Sequence, residues 1–305
     1  MDEDRLYHDP ALADFYDLEN AWERSGDFAF CRALAEGAAS VLDLGCGTGE
    51  LAVALSGNRT VSGVDPAAAM LAIAREKPGA QGVAFVEGDA RTVRLARRFD
   101  FVVLTGHAFQ VFLTAEDRRA VLATIAAHLA PGGRFIFDSR NPACREWEEW
   151  GPEASMRLVE HPSFGTVAAW NDADFDAATG IVTYETHYEV RATGERLSAA
   201  SRIAFPEKAE LEALIAEAGL AVERWLGVAA GRQGAYPPRR PRLTRAASGF
   251  NALSEAEART LRLEMQCSSA LSDAEARTLR LEMLDRTHHA AIDAQVLAGD
   301  VAGAL

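Results

Sequence analysis

The 305-residue sequence is short of cysteine and of basic charge, and it has no long apolar run. Its four cysteines, Cys31, Cys46, Cys144 and Cys267, show neither CxxC pairing nor zinc spacing. That argues against a disulfide scaffold or a metal-stapled fold; they read as reduced thiols, and no metal site is expected. A chain of this length can bury a large core without such staples. Lys and Arg number 31 against 45 Asp and Glu, a formal net charge of −14. Such a surface repels phosphate backbones and anionic lipid, so neither nucleic acid nor membrane is expected as a partner. No window approaches the ~18 uninterrupted apolar residues of a membrane span, and Met1-Asp2-Glu3-Asp4 opens without an apolar signal region. The expectation is a cytoplasmic protein.

What is present is a regular alternation. Val41–Leu44, Thr60–Val64, Val83–Val86, Phe99–Leu104 and Gly133–Asp138 are short, nearly continuous apolar runs, as parallel strands covered on both faces require. Between them Glu50–Ser56, Pro66–Lys77 and Glu116–Ala130 carry helical periodicity, the last with Thr114 as its cap and Pro131-Gly132 as its stop. Strand–helix alternation of this kind predicts an α/β fold with a Rossmann-like, doubly wound sheet. The period then changes to two, and three antiparallel strands are expected near 166–175, 181–191 and 197–205, an inserted β-meander at about 165–205. A helix from Pro206 to Ala218 and a strand at Leu220–Val228 follow.

The strongest chemical signal is Val41-Leu42-Asp43-Leu44-Gly45-Cys46-Gly47-Thr48-Gly49-Glu50, a strand, a glycine loop and a helix start. Glycines allow the tight turn and bring a ligand close to backbone amides at the positive helix end. The dinucleotide fingerprint G-x-G-x-x-G would place its third glycine at Glu50, where a carboxylate would repel a pyrophosphate. A cofactor without phosphates is therefore favoured over NAD. Asp43, inside an apolar strand, is costly to bury unless it accepts loop amides or faces a cationic ligand. Asp65 ends the second strand, where an acid can accept ribose hydroxyls, although Asp65-Pro66 also reads as a helix cap. Asp89, in Glu87-Gly88-Asp89-Ala90, sits where an adenine edge is read or where a plain turn needs an Asp.

These segments resemble the class I S-adenosylmethionine-dependent methyltransferases. The resemblance rests on VLDLGCGTGELA, VSGVDPAAAML, VAFVEGDAR, FDFVVLTGHAFQVF and HLAPGGRFIFDSRNP over residues 41–138, and extends less specifically across 7–227. It implies S-adenosylmethionine as cofactor, its methionine end near Asp43, its ribose on Asp65 and its adenine near Asp89-Ala90. The candidate cofactor residues are thus Asp43, Gly45, Cys46, Gly47, Thr48, Gly49, Asp65, Pro66, Asp89, Ala90 and Thr105. Methyl transfer relies largely on proximity and orientation, and a base is needed only where the acceptor atom must lose a proton. The candidates for that role are His107 and Asp138; Tyr16, His107 and Arg140 are the candidate substrate residues. The acidic body, and Thr105-Gly106-His107-Ala108 in place of Asn/Asp-Pro-Pro-aromatic, point to the N or O atom of a small molecule as methyl acceptor. The aromatic entry segment with Tyr7, Phe15, Tyr16, Trp22 and Phe28 resembles a lid, or is an amphipathic helix packed on the sheet. The meander covers substrate or mediates a homodimer, for which the tail is a second candidate surface.

The sequence departs from the family after Gly227. Members close their sheet with a final antiparallel strand, whereas 228–250 is an Arg/Pro/Gly-rich stretch that reads as a disordered linker. Residues 251–299 then carry a repeat: Ala252–Met265 and Ala270–Met283 match at thirteen of 14 positions, each opening with a capping box, Ser254…Glu257 and Ser272…Glu275. An atypical helical C-terminal tail is expected, with the closing strand missing. A change of reading frame after Leu226-Gly227, or a partner-binding extension, would each account for this. Two rival functions remain: a non-catalytic cofactor-binding scaffold whose tail binds a partner, and an NAD-dependent oxidoreductase, which Glu50 opposes.

Overall fold

The computed structural model describes residues 5–20, 26–226 and 295–300. Three helices open the chain: α1 (Arg5–His8), α2 (Pro10–Glu19) and α3 (Gly26–Leu34). The alternating segment then runs β1 (Ser40–Leu44), α4 (Glu50–Ser56), β2 (Thr60–Asp65), α5 (Ala68–Glu76), β3 (Val83–Glu87), β4 (Phe99–Leu104), α6 (Ala115–His128) and β5 (Leu129–Asp138). The strands expected from the apolar runs are all present. Thr114 caps α6, its hydroxyl accepting from the Asp117 amide at 3.1 Å. The helix ends at His128, ahead of the expected Pro131-Gly132 stop, where His128 Nε2 accepts from the Leu95 amide at 2.8 Å.

β1 to β5 pair in parallel in the order β5-β4-β1-β2-β3. Alternate strand residues face opposite sides, as the period of two demands. Leu42, Leu44, Val102, Leu104, Phe135 and Phe137 pack under α6. Val41, Phe101, Val103 and Ile136 pack with Leu51, Ala52 and Leu55 of α4 and with Cys31 of α3. Both faces are covered, which is why the strands read as apolar runs rather than as alternations.

After β5 come α7 (Pro152–Ser155), then the antiparallel β6 (Arg157–His161), β7 (Gly165–Asp176), β8 (Ile181–Val190) and β9 (Arg196–Ala204). The three expected meander strands are joined by a fourth, β6, which sequence reasoning missed. In Arg157-Leu158-Val159-Glu160-His161 the apolar Leu158 is 63% exposed, so the pattern advertises no buried face. The last two helical and strand elements follow as expected, α8 (Lys208–Glu217) and β10 (Leu220–Leu226).

The missing closing strand is a correction. β11 (Gln295–Asp300) lies between β10 and β5, antiparallel to both, and completes a seven-stranded sheet in the order β10-β11-β5-β4-β1-β2-β3. The helical reading of 251–299 therefore fails over 295–299; its remainder, with the 228–250 linker, lies outside the described residues. A six-residue strand rich in Ala and Gly, far in sequence from its neighbours, carries little β signal. A second correction concerns the thiols. Cys31 and Cys46 are free and buried, but Cys144 is disulfide-bonded. Spacing alone cannot reveal a pairing made through tertiary contact. Among the described residues no helix is long and apolar enough to cross a membrane, and no cluster of three or more His, Cys, Asp or Glu is placed to hold a metal.

Candidate cofactor and active site

The glycine loop leaves β1 and turns into α4. Gly45, Gly47 and Gly49 all have positive φ, +78°, +52° and +74°, a region that side-chain-bearing residues avoid. Neighbouring backbone pins the loop: the Gly45 and Cys46 amides donate to the Val64 carbonyl at 2.7 and 3.0 Å. A Cβ at Gly49 would lie 2.7 Å from the Phe85 ring and 2.9 Å from Ala74 Cβ, so the loop is tightly seated against β3 and α5.

Above the loop is a small, solvent-connected recess lined by Tyr16, Asp43, Gly45, Cys46, Thr48, Glu50, Leu51 and Thr105. Six of the residues picked out in the sequence thus converge on one space. Asp43 is 97% buried in effect, with 3% relative exposure. It accepts from the Ala52 backbone amide in the first turn of α4, while its Oδ2 is buried without a hydrogen-bond partner among the described residues. Burial, and then the neighbouring Asp65, push its carboxyl up to about 7. Asp43 thus clamps the helix start with one hydrogen bond, and its second oxygen remains buried without a hydrogen-bond partner among the described residues. A positively charged cofactor fits that orphaned oxygen. The Cys46 thiol is pushed up by burial and by the Asp43 and Asp65 charges, so it stays protonated and unreactive.

Asp65, 8% exposed at the end of β2, accepts from the Gly47 amide at 2.8 Å and from the Ala67 amide at 2.9 Å. It holds the loop to β2, and each carboxylate oxygen still has acceptor capacity for a hydroxyl. Burial raises its carboxyl above the usual range. Pro66 is exposed, and α5 begins two residues later with Ala67 as cap, so Asp65 is not the N-cap of α5. Asp89 is engaged by Arg91, whose Nε lies 3.0 Å from both carboxylate oxygens; this bond holds the carboxyl below the usual range. Arg91 also reaches Asp117 at 2.7 Å. Ala90 is buried in the core beneath α6.

At the C-terminal ends of β4 and β5, two residues beyond Thr105, His107 adopts φ +62°. Its Nδ1 lies 2.7 Å from Asp138 Oδ2, and its backbone amide donates to the same oxygen at 2.9 Å. Asp138 is buried, and its Oδ1 has no hydrogen-bond partner among the described residues. The structure brings the two candidates together as an imidazole–carboxylate pair beside the recess, though neither lines it. Arg140 is held elsewhere: its Nη1 donates to Gln110 Oε1 at 2.9 Å, its guanidinium lies 5.0 Å from the Trp150 ring centre, and Nε is 3.3 Å from Glu146. Gln110, fully buried, also donates to the Ala204 carbonyl at 2.9 Å and so ties this corner to the meander. Sequence reasoning missed Gln110, and it missed Asp17, which accepts from the Thr48 hydroxyl at 2.5 Å. Gln110 lies within the family-like segment at 99–112 but was given no role there, Asp17 lies in no motif, and only the folded chain shows what the two side chains hold.

Comparison with known proteins bears on this arrangement. Residues 41–133 match the model of a methyltransferase domain family. The chain is 30% identical over 213 residues to a demethylmenaquinone methyltransferase of Thermus thermophilus, covering 67% of the chain and 86% of that protein. It is 29% identical over 238 residues to dTDP-3-amino-3,4,6-trideoxy-alpha-D-glucopyranose N,N-dimethyltransferase of Streptomyces venezuelae, covering 72% of the chain and 94% of that protein. Among solved structures, the SAM-bound amino pentose methyltransferase CalS10 of Micromonospora echinaspora superposes with a TM-score of 0.54 at 27% identity, over 67% of this chain and 85% of that one. Two further curated relatives match over only 49% and 40% of their own lengths.

Proposed function

Because the chain belongs to the S-adenosylmethionine-dependent methyltransferases, we propose that it methylates the nitrogen of an amine carried by a small molecule. The observation that carries the proton-transfer part of this reading is the His107–Asp138 pair, 2.7 Å apart at the strand ends, two residues beyond the recess-lining Thr105. When bound, S-adenosylmethionine supplies a methyl group on a positively charged sulfur, an electrophile whose leaving group needs no proton. Asp43, the Gly45–Gly49 backbone and Asp65 would hold it, Asp43 toward its cationic end and Asp65 toward its ribose hydroxyls. An amine in water is largely protonated and has no lone pair to offer until that proton leaves. The His107 imidazole, with Nδ1 2.7 Å from Asp138, would take that proton, and the Asp138 carboxylate would stabilise the imidazolium that results. A hydroxyl acceptor must lose its proton as well, so the pair serves either atom, and the choice of nitrogen rests on the likeness to enzymes of amino sugars.

The likeness to two enzymes described as acting on amino sugars supports nitrogen as the accepting atom and an amino sugar as the first acceptor class to try. The test is a methyl-transfer assay with labelled S-adenosylmethionine and paired acceptors that differ only in carrying an amine or a hydroxyl. Turnover of amines alone is expected. Replacing His107 with Gln should lower kcat by about 10²–10⁴-fold with little change in S-adenosylhomocysteine affinity. Equal turnover of the hydroxyl partners, or a His107→Gln variant of undiminished kcat, would overturn the reading.

A further inference from the structure

Helix α2 joins the meander to the glycine loop and is fastened at its last turn on both sides. It starts cleanly, with Asp9 as cap and Pro10 in the first turn, and it buries Leu12, Ala13 and Phe15. Phe15 stacks on Tyr188 of the meander at 4.0 Å between ring centres. Glu19 pairs with Arg157 of β6 and accepts from the Tyr188 hydroxyl at 2.6 Å. Two residues earlier, Asp17 reaches the opposite way. Its Oδ1 accepts from Thr48 of the glycine loop at 2.5 Å, and its Oδ2 is ion-paired with Lys77, just past the end of α5. Tyr16, the residue before Asp17, lines the recess, and its ring reaches 4.0 Å from the place of a Gly47 Cβ.

Thr48 is 2% exposed, and its hydroxyl is the side-chain group of the loop that bonds to another element. Its donation to a charged acceptor is the stronger kind of hydrogen bond. Lys77 offsets a negative charge at the rim of a recess that already holds Asp43 and Glu50.

We infer that Asp17 is a positioning residue for the cofactor: through the Thr48 hydroxyl it locks the Gly47–Gly49 backbone and holds Tyr16 across the recess, so that ligand release requires the Asp17–Thr48 bond to open. The inference rests on the recess being the S-adenosylmethionine site. It predicts that the bond acts as a unit. Removing either partner weakens the same step, and removing both costs no more than removing one.

The experiment measures the affinity and dissociation rate of S-adenosylhomocysteine on the full chain, for the wild type, Asp17→Ala, Thr48→Val, the double variant and Thr48→Ser. Thermal melts establish that each is folded. Asp17→Ala and Thr48→Val should each raise the dissociation rate about tenfold, the usual scale for a hydrogen bond to a charged group. The double variant should match the single ones, and Thr48→Ser should recover most of the loss seen with Thr48→Val. Thr48→Val also tests the idea if Asp17→Ala fails to fold. Dissociation rates within about twofold of wild type in folded single variants, or additive effects in the double one, would overturn the inference while leaving the cofactor site standing. A folded wild type that binds no S-adenosylhomocysteine would overturn the cofactor reading itself, and this inference with it.

Discussion

Asp43 combines two demands that normally conflict. One oxygen satisfies an amide at the start of α4, and the other is buried with no hydrogen-bond partner among the described residues. Because burial raises its carboxyl to about 7, the folded chain binds a proton there that the unfolded chain releases at lower pH. That group's contribution to stability therefore declines as pH rises from about 4 through 7. Cofactor binding runs the other way, since a cationic ligand selects the carboxylate. Affinity for S-adenosylmethionine is expected to fall as pH drops below 7, by up to about tenfold per unit, and Asp43→Asn should flatten the profile. Calorimetric titration between pH 5.5 and 8, values that bracket about 7, checks this. At the ribose end, Asp65→Ala removes an acceptor and also frees the Gly47 amide, so S-adenosylhomocysteine should bind at least tenfold more weakly, about 1.4 kcal/mol. Gly49→Ala forces a side chain into φ +74° and against Phe85. About 2 kcal/mol of lost stability is expected from urea denaturation, together with weakened cofactor binding.

Among the elements, β11 matters most for the site. It pairs with β5 from Gln295↔Asp138 to Gly299↔Arg134 and with β10 on its other side. Without it β5 would be an unpaired edge, and Asp138, the partner of His107, would sit at the end of that edge. A proline at Ala298, paired with both Phe135 and Val222, removes a ladder donor from an interior strand. Ala298→Pro should cost about 3 kcal/mol or more and abolish methyl transfer; circular dichroism melts and the transfer assay read the two effects. The strand was not legible beforehand because its pairing partners lie far away in the chain. By contrast β1, β4 and the core of β5 were legible, since an interior parallel strand must be apolar on both faces wherever its partners come from.

At the scale of the whole molecule, α2 links the meander to the recess: it packs on β6 and α5 and places Tyr16 in the recess lining. The chain carries a formal charge of −14, and Asp43 and Glu50 line the recess. A net negative charge attracts a cationic acceptor and repels a nucleotide-linked one, so the two differ in their response to salt. For a cationic acceptor, kcat/KM is expected to fall about tenfold between low and high salt as screening shortens the reach of the charges. An acceptor of net negative charge should show the reverse trend. Steady-state kinetics over a salt series distinguishes the two acceptor classes.

By itself the sequence determined the glycine loop, the alternation of strand and helix, and the places of Asp43 and Asp65. Each of these is a local demand: positive φ at Gly45, Gly47 and Gly49, apolar runs where both faces are covered, an acid at the end of a strand. The tertiary structure decided what those residues do to one another. It brought His107 to Asp138, Asp17 to Thr48 and Gln110 to Arg140, and it set Gln295–Asp300 between β10 and β5. Periodicity records the environment of an element, apolar or wet, but not the identity of its partner. Partners distant in the chain are selected by packing and hydrogen-bond satisfaction in the folded whole.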